Sequence, residues 1–575
     1  MKSLSRRLRP FADGWRHVSI GMRRDRWCGG RPVGRDGSYM RLLTTIAVLA
    51  FAAATASQPP KLDDSLAERG LKEIDAKDAA LRRAIRKASP SIVSIYLRER
   101  SEGFEQPFFD RDRRGRRGRG FEVEDVEVQA AAYGAGIVLD KSGAILTCYH
   151  LVRLAAAPNS KYDLHVRTHD GALHGVSRDD ILAGDPRSDL AVIRISSVDP
   201  KAIVPATFGD GDKLFVGQTV LALGNAFGIG VDDGAVSASA GLISAIGRKA
   251  LPILPSDVSG MQLFYERQKH LASWGQLIQV DCRLNLGTSG GALIDARGDV
   301  VGITMALAAR AGMETPGGFA LPYDTLVRRV VEKLRVGKEM EYGFLGVEPQ
   351  NFTRTTAQES RNFPTDKGVE IRSVVLPATM RGGLQVKDVV IAIDGQPIRN
   401  SNDLVLKVGG SQAGQTLRFK VARPSRGEFE VLDLSVKLGK YPVAGPVIKT
   451  NLRPAFAGMR VDYLSLLSEE FRNNNLFDAA ASALPNGGVM VLEVESNSPA
   501  DLAGIAKNNV ITSANGVNLD TPDDFLRVVQ NAKAPVKLEV NVATQRAGAT
   551  EWKPRTVELS PAKTKTKASK VADDN

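Results

Sequence analysis

The chain has 575 residues, 43% of them apolar and 25% charged, enough for three or four domains of ordinary globular composition. The net charge is +12, but residues 1–41 hold Lys2 and ten arginines against Asp13, Asp25 and Asp36, a net of +8 that leaves only +4 for everything after them. No nucleic-acid-binding signature occurs in that remainder, so the charge excludes a basic nucleic-acid binder as the main class.

Leu42–Ala53 is a continuous apolar run, too short to span a bilayer comfortably, between Arg41 and the small residues Ala54-Thr55-Ala56. This layout predicts a secretory signal, with residues 1–56 as leader and Ser57 as the first mature residue. Met40 is an alternative start, and an uncleaved membrane anchor is the competing reading of the same run. Within 57–90, Leu71, Ile74, Ala80, Leu81 and Ile85 share one face of a helix over 62–87, which Pro90 ends. Ile92–Leu97 alternates as a first strand. The charged stretch 98–132 carries Phe104, Phe108 and Phe109 and an Arg-Gly run over 111–120, the composition of a solvated loop.

Short strands are predicted at 134–139, 144–148, 163–168, 172–177, 191–195, 214–222 and 236–246, with Asp170-Gly171 as a hairpin turn. Many short strands with glycine turns mean a barrel or sandwich. His165, His169 and His174 gather at the hairpin and read as exposed residues. No cysteine lies near them, and the turn uses Asp170, so no metal site is assigned. After a long polar segment over 249–275, strands follow at 276–280, 292–295, 300–305 and 318–321, then an amphipathic helix over 323–336. Beyond it lies an internal repeat. The first copy begins at Gly343-Phe344-Leu345-Gly346-Val347 and continues through Gly383-Leu384 and Ile393-Asp394-Gly395. The second begins at Gly458-Met459-Arg460-Val461 and continues through Ala503-Gly504-Ile505 and Asn515-Gly516, with an insertion over 462–486. Alternating lysines after Pro561 read as a solvated tail.

The chemistry concentrates at Asp281-Cys282-Arg283-Leu284-Asn285-Leu286-Gly287-Thr288-Ser289-Gly290-Gly291. A serine in a glycine-dense turn can present its hydroxyl while successive N–H groups converge on one point, which is what acyl transfer needs. Upstream lie Thr147-Cys148-Tyr149-His150 and Asp185-Pro186-Arg187-Ser188-Asp189-Leu190. His, Asp and Ser then follow in the chymotrypsin order of a triad, His150, Asp189 and Ser289. Cys148 and Cys282 flank the two halves of this constellation and read as buried thiols, while Cys28 falls in the leader.

These boxes, with Gly224-Asn225-Ala226-Phe227-Gly228 and Gly318-Phe319-Ala320-Leu321-Pro322, resemble those of the HtrA/Deg family of serine proteases, and the resemblance covers about residues 92–561. It implies a mostly β chain: a chymotrypsin-like double β-barrel over 91–338, then α+β PDZ-like domains over 339–441 and 442–561, with residues 562–575 as the tail. It implies an exported, periplasmic serine endopeptidase acting on unfolded polypeptides, without cofactor, as a homotrimer or larger oligomer. Gly287 and Ser289 would supply the oxyanion N–H groups, and Gly343, Phe344, Leu345 and Gly346 would hold peptide C-termini. Arg283, Thr304 and Met305 would line the specificity pocket, Arg283 standing where a small residue is usual. Thr288 and Cys148-Tyr149 also depart from the family pattern. The rival reading is a PDZ scaffold or chaperone with a weak or silent protease.

Overall fold

The computed structural model describes residues 64–99, 132–196, 202–228, 234–249, 275–305, 318–352, 366–374, 382–425, 428–443, 445–467, 484–530, 534–546 and 549–560, with a few isolated positions besides. The leader and signal, the phenylalanine and Arg-Gly stretch, the interior of 249–275, most of the 462–486 insertion and the lysine tail lie outside the described residues. No described helix is long and apolar enough to cross a membrane.

The first helix spans Asp64–Ala88. Ala84 and Ala88 are buried in a core cluster, and Leu81 and Ile85 pack against it. Leu71 and Ile74 are exposed, so the expected apolar face is used only toward the helix's C-terminal end. Seven antiparallel strands follow: β1 (Ile92–Glu99), β2 (Ala132–Val138), β3 (Ala144–Cys148), β4 (Tyr162–Arg167), β5 (Leu173–Val176), β6 (Ile181–Asp185) and β7 (Leu190–Arg194). Their sheet runs β6-β7-β3-β2-β1-β4-β5. The next six are β8 (Thr219–Gly224), β9 (Ser237–Arg248), β10 (Leu277–Val280), β11 (Ala292–Asp295), β12 (Val300–Met305) and β13 (Gly318–Pro322), and they close into a barrel.

The sequence implies two six-stranded barrels, and the second half has that form. The first half carries a seventh strand, β6, whose run Ile-Leu-Ala-Gly-Asp is buried on both faces and therefore shows no alternation. Its outer edge is taken by β22 (Ile448–Lys449), from the segment between the two C-terminal modules. The helix Thr325–Arg335 packs Val327, Val330, Val331 and Leu334 into the same cluster as Leu182, Ala183, Leu190 and Val192 of β6 and β7. Asp324 caps it by accepting the Val327 N–H at 2.9 Å.

Each C-terminal module is a five-stranded antiparallel path with one short strand added. The first runs β15 (Val347–Phe352), β16 (Gly368–Val374), β17 (Val389–Ile393), β19 (Thr416–Ser425) and β20 (Glu428–Lys437), with β18 (Gln396–Pro397) on β17. The second repeats that order with β23 (Met459–Tyr463), β24 (Val489–Val494), β25 (Val510–Ala514), β27 (Val536–Arg546) and β28 (Ala549–Leu559), with β26 (Val517–Asn518) on β25. β15 and β23 each stand at the end of their strand order, paired with one named strand among the described residues. The first module also has a ribbon of β14 (Gly343–Phe344) with β21 (Gly439–Lys440).

Candidate active site

β3 delivers its chain directly into the helical turn Tyr149–Val152, which carries His150. Asp189 sits just before β7 with φ at 57°, a left-handed value that a non-glycine residue holds only when its surroundings enforce it. Three hydrogen bonds do so. The Tyr149 N–H donates to the Asp189 carbonyl at 2.8 Å, the His150 N–H to Asp189 Oδ1 at 2.9 Å, and His150 Nδ1 lies 2.7 Å from Asp189 Oδ2. The imidazole is thus held by its Nδ1 side, with Nε2 directed the other way.

Ser289 lies between β10 and β11, in the closed barrel. Its carbonyl accepts the Ala135 N–H of β2 at 2.9 Å, which fixes the serine turn to the first sheet. Thr147 Oγ1, beside it on β3, donates to the Ala135 carbonyl at 2.8 Å. Gly290 has φ at 82°, and a Cβ there would fall 2.7 Å from Thr147 Oγ1 and 3.1 Å from the Cys148 nitrogen. The serine turn therefore lies against the end of β3, from which His150 follows. Gly287 is equally constrained. Its φ is 92°, and a Cβ would meet the Asn225 carbonyl at 2.0 Å. The Leu286 carbonyl accepts the Phe227 N–H at 2.7 Å. C=O and N–H are opposed across a trans peptide, so the Gly287 N–H points away from Phe227. Thr288 is buried, and its hydroxyl donates to the Asn285 carbonyl at 2.7 Å, closing the turn.

The residues grouped with Arg283 are scattered in role. Arg283 is exposed, with its N–H on Ser239 Oγ at 3.0 Å. Thr304 is fully buried, and its hydroxyl donates to the Thr288 carbonyl at 2.5 Å, so it braces the serine turn from below. Met305 packs in the core. The hairpin histidines are not uniformly exposed: only His169 is. His165 stacks on Tyr96 of β1 at 5.2 Å, and burial pushes its imidazole below the ordinary value. His174 is half-buried and shifted the same way. Cys148 and Cys282 are buried, in separate core clusters and not in a disulfide, and burial raises the Cys282 thiol to about 11. Cys148 Sγ lies within 4.8 Å of ligand-type atoms of His150 and Asp189. A cation there would have to compete with the Nδ1···Oδ2 bond.

The site is backed by segments remote from it in the chain. Ile448 and Lys449 of β22 pair with β6, and the Tyr149 hydroxyl donates to the Pro446 carbonyl at 2.8 Å. The Tyr342 hydroxyl donates to Asp185 Oδ2. Asp185 is buried, and burial raises its carboxyl above the usual range. It also accepts the N–H groups of Arg187 and Ser188, at 3.2 and 3.1 Å, and the Ser188 hydroxyl at 2.6 Å. The loop that carries Asp189 is therefore tied to the start of the first C-terminal module. An Asp-Pro-x-Ser-Asp turn is the only sequence signal for this, because its partner, Tyr342, is remote in the chain.

Residues 134–303 match the family model of the trypsin-like peptidase domain, and residues 343–438 and 490–542 match PDZ-domain models. The chain is 30% identical over 428 residues to a probable periplasmic serine endoprotease, DegP-like, of Ectopseudomonas mendocina, covering 73% of this chain and 78% of that protein. It is 28% identical over 490 residues to a protein of the same description from Pseudomonas putida, covering 81% and 90%. Among solved structures it is similar to the HtrA-type protease AlgW with decapeptide, at 25% identity and a TM-score of 0.45, over 63% of this chain and 99% of that one.

Proposed function

From the premise that this chain belongs to the HtrA/Deg family of DegP-like serine endoproteases, and is a serine endopeptidase, we propose that His150, Asp189 and Ser289 are its catalytic triad. Ser289 Oγ attacks the scissile carbonyl. His150 takes the hydroxyl proton on Nε2 and passes it to the leaving amine, while Asp189 holds the Nδ1 proton and stabilises the imidazolium. The N–H groups of Gly287 and Ser289 receive the oxyanion. The observation that carries this reading is the doubly bonded His150–Asp189 pair beside a serine turn hydrogen-bonded to β2. The Leu286–Gly287 peptide supports the oxyanion assignment, since its carbonyl is turned to Phe227. A flip of that one peptide would remove a donor, which typically costs about 10²–10³ in kcat.

The substrates are unfolded polypeptides in the periplasm, the compartment named for the relatives. Polypeptide C-termini bind at Gly343–Gly346 and regulate the site, and the chain works as a homotrimer or larger assembly. The PDZ fold supports the first of these, with β15 at the edge of its sheet among the described residues, where strand addition would occur. The edge of β6, by contrast, is already occupied by β22.

Purified protein is tested on casein beside Ser289→Ala, with and without peptides ending in aliphatic residues. Cleavage by the parent alone, increased by peptide, is the expected result. Equal cleavage by both proteins would remove Ser289 from the mechanism. Cleavage that ignores peptide would remove the PDZ regulation. No cleavage, with suppressed aggregation of a denatured client, would favour a scaffold or chaperone.

A further inference from the structure

The carboxylate-binding end of the first PDZ module is walled in part by a cation from the peptidase domain. Arg187, two residues ahead of Asp189, is only 2% exposed. Its guanidinium lies between two tyrosine rings of the C-terminal module, with Cζ 3.7 Å from the centroid of Tyr441 and 4.6 Å from that of Tyr342. Nη2 fits against Gly409, where a Cβ would come within 3.1 Å. Nε and Nη1 are buried and have no hydrogen-bond partner among the described residues. Arginine stays protonated, so a buried guanidinium with two unused donors is costly, and the two ring faces offset only part of that. Asp185 does not serve it: that carboxylate takes the backbone N–H of Arg187, not its side chain.

Arg187 lines a cavity of about 50 Å³ with Leu345, Gly346 and Val347 of the glycine loop and Leu404 and Val408 of the helix Ser401–Gly409. That volume admits a carboxylate or a small aliphatic group, since about 10–15 Å³ of such space already admits one water molecule. An apolar pocket with one buried, donor-rich cation matches one chemistry: the free C-terminus of a polypeptide ending in a small aliphatic residue.

We propose that Arg187 is the counter-ion for a polypeptide C-terminal carboxylate bound in this groove, so that the loop carrying Asp189 reads groove occupancy directly. The proposal rests on the PDZ-binding reading above and adds the residue that senses the ligand. The physical link is short. The Arg187 and Ser188 N–H groups both end on Asp185, Tyr342 holds the same carboxylate from the module side, and Asp189 follows Ser188 in a strained backbone conformation. Pairing of the guanidinium with a carboxylate would act on that loop without an intervening element.

Full-length Ser289→Ala protein, which cannot cleave its ligand, is titrated with a fluorescein-labelled decapeptide ending in three valines, as free acid and as C-terminal amide. The parent is expected to bind the free acid at least about 10-fold more tightly than the amide, as a charge-assisted bond would give. Arg187→Met should bring the two within about 2-fold of each other, and Arg187→Lys should restore part of the preference. If Arg187→Met keeps the parent's preference, the assignment of Arg187 is wrong while the groove still binds C-termini. If the parent itself shows no preference or no binding, the groove reading and the assignment both fall. Should Arg187→Met not fold by circular dichroism, Gly409→Ala decides: crowding Nη2 should weaken the free acid and spare the amide, and an unchanged ratio would overturn the proposal.

Discussion

The two PDZ modules share one strand order, yet the heads of their grooves are built in opposite ways. In the first, the loop Gly343–Gly346 opens on a cavity that contains the unpaired donors of Arg187. In the second, the corresponding turn is closed on itself: Phe456 and Met459 exchange N–H···O bonds, both 2.9 Å. Ala457 and Gly458 give their carbonyls to Ala500 and Glu495, at 3.0 and 2.8 Å. The Phe456 ring is buried and packs edge-on against Phe525 of the helix Pro522–Val529 at 6.0 Å, in the space between turn and helix. Polypeptide capture depends on N–H groups left unspent, not on the fold that presents them. In the second module the Phe456 and Met459 N–H groups are spent within the turn itself.

The same contrast holds for the two buried cations. Arg187 has no ion pair among the described residues. Lys440, at the end of the first module, is enclosed by Asp462 at 2.8 Å, Glu339 at 2.9 Å and Glu341 at 3.7 Å, joining both modules to the segment after the peptidase domain. Removing Lys440 leaves three carboxylates without their shared partner, so Lys440→Met should cost about 3–5 kcal/mol in urea or thermal unfolding. Arg187→Met orphans no charge, and a loss below about 1 kcal/mol is expected, because removing a partnerless buried cation also removes its desolvation cost. Similar losses for the two variants would erase the distinction. Phe456→Ala tests the closed turn. It should cost about 3 kcal/mol in thermal unfolding, while leaving affinity for the free-acid peptide unchanged.

The catalytic boxes were legible because their chemistry is local: glycine spacing around Ser289 and the short Asp-Pro-x-Ser-Asp turn survive without knowledge of the fold. The elements from β1 through β13 follow from alternation and turns, except β6, whose burial on both faces leaves no period to read. The sequence pattern places the start of β8 at 214, and the strand begins at Thr219 because a turn over 211–218 bends the chain first. His165 and His174 read as hairpin surface, and the shelter that Tyr96 gives His165 comes from the neighbouring strand. Thr304 is named as a pocket residue by the family resemblance alone, and the sequence carries no sign that its hydroxyl donates to the Thr288 carbonyl. The setting of Arg187 could not be read from the sequence at all, since both tyrosines and Gly409 reach it from a module remote in the chain.

Tyr342 lies where the two halves of this comparison meet. Its phenol is buried against Asp185, and burial, with that carboxylate beside it, pushes its pKa well above the ordinary range. Tyr342→Phe removes one donor from a buried carboxylate that keeps three others, so a loss of about 1–2 kcal/mol in thermal stability is expected. The more telling readout is casein hydrolysis. If the module braces the Asp189 loop through this bond, kcat falls with little change in KM. A stability loss without any kcat change would confine Tyr342 to packing.

The smallest effect expected is in pH. Burial alone would raise the Glu339 carboxyl, but the ammonium groups of Lys440 and Lys449 outweigh it and hold it below its ordinary value of 4.5. The native state therefore binds this proton less tightly than the unfolded chain. Its contribution is complete above about pH 5 and is lost as pH falls through the lower native value. Lys440 works at the other end. Burial would lower it, Asp462, Glu339 and Glu341 raise it above 10.5, and its contribution persists until pH rises past that higher native value. Without Lys440, burial pushes the same carboxyls up, so the stability difference between the parent and Lys440→Met should shrink as pH falls from 8 and go on shrinking below pH 5, by about 1.4 kcal/mol for each unit by which a carboxyl's native value differs between the two proteins. A difference that does not shrink in acid would mean that the charges at this junction are not the ones holding it, and that its contrast with Arg187 rests on packing instead.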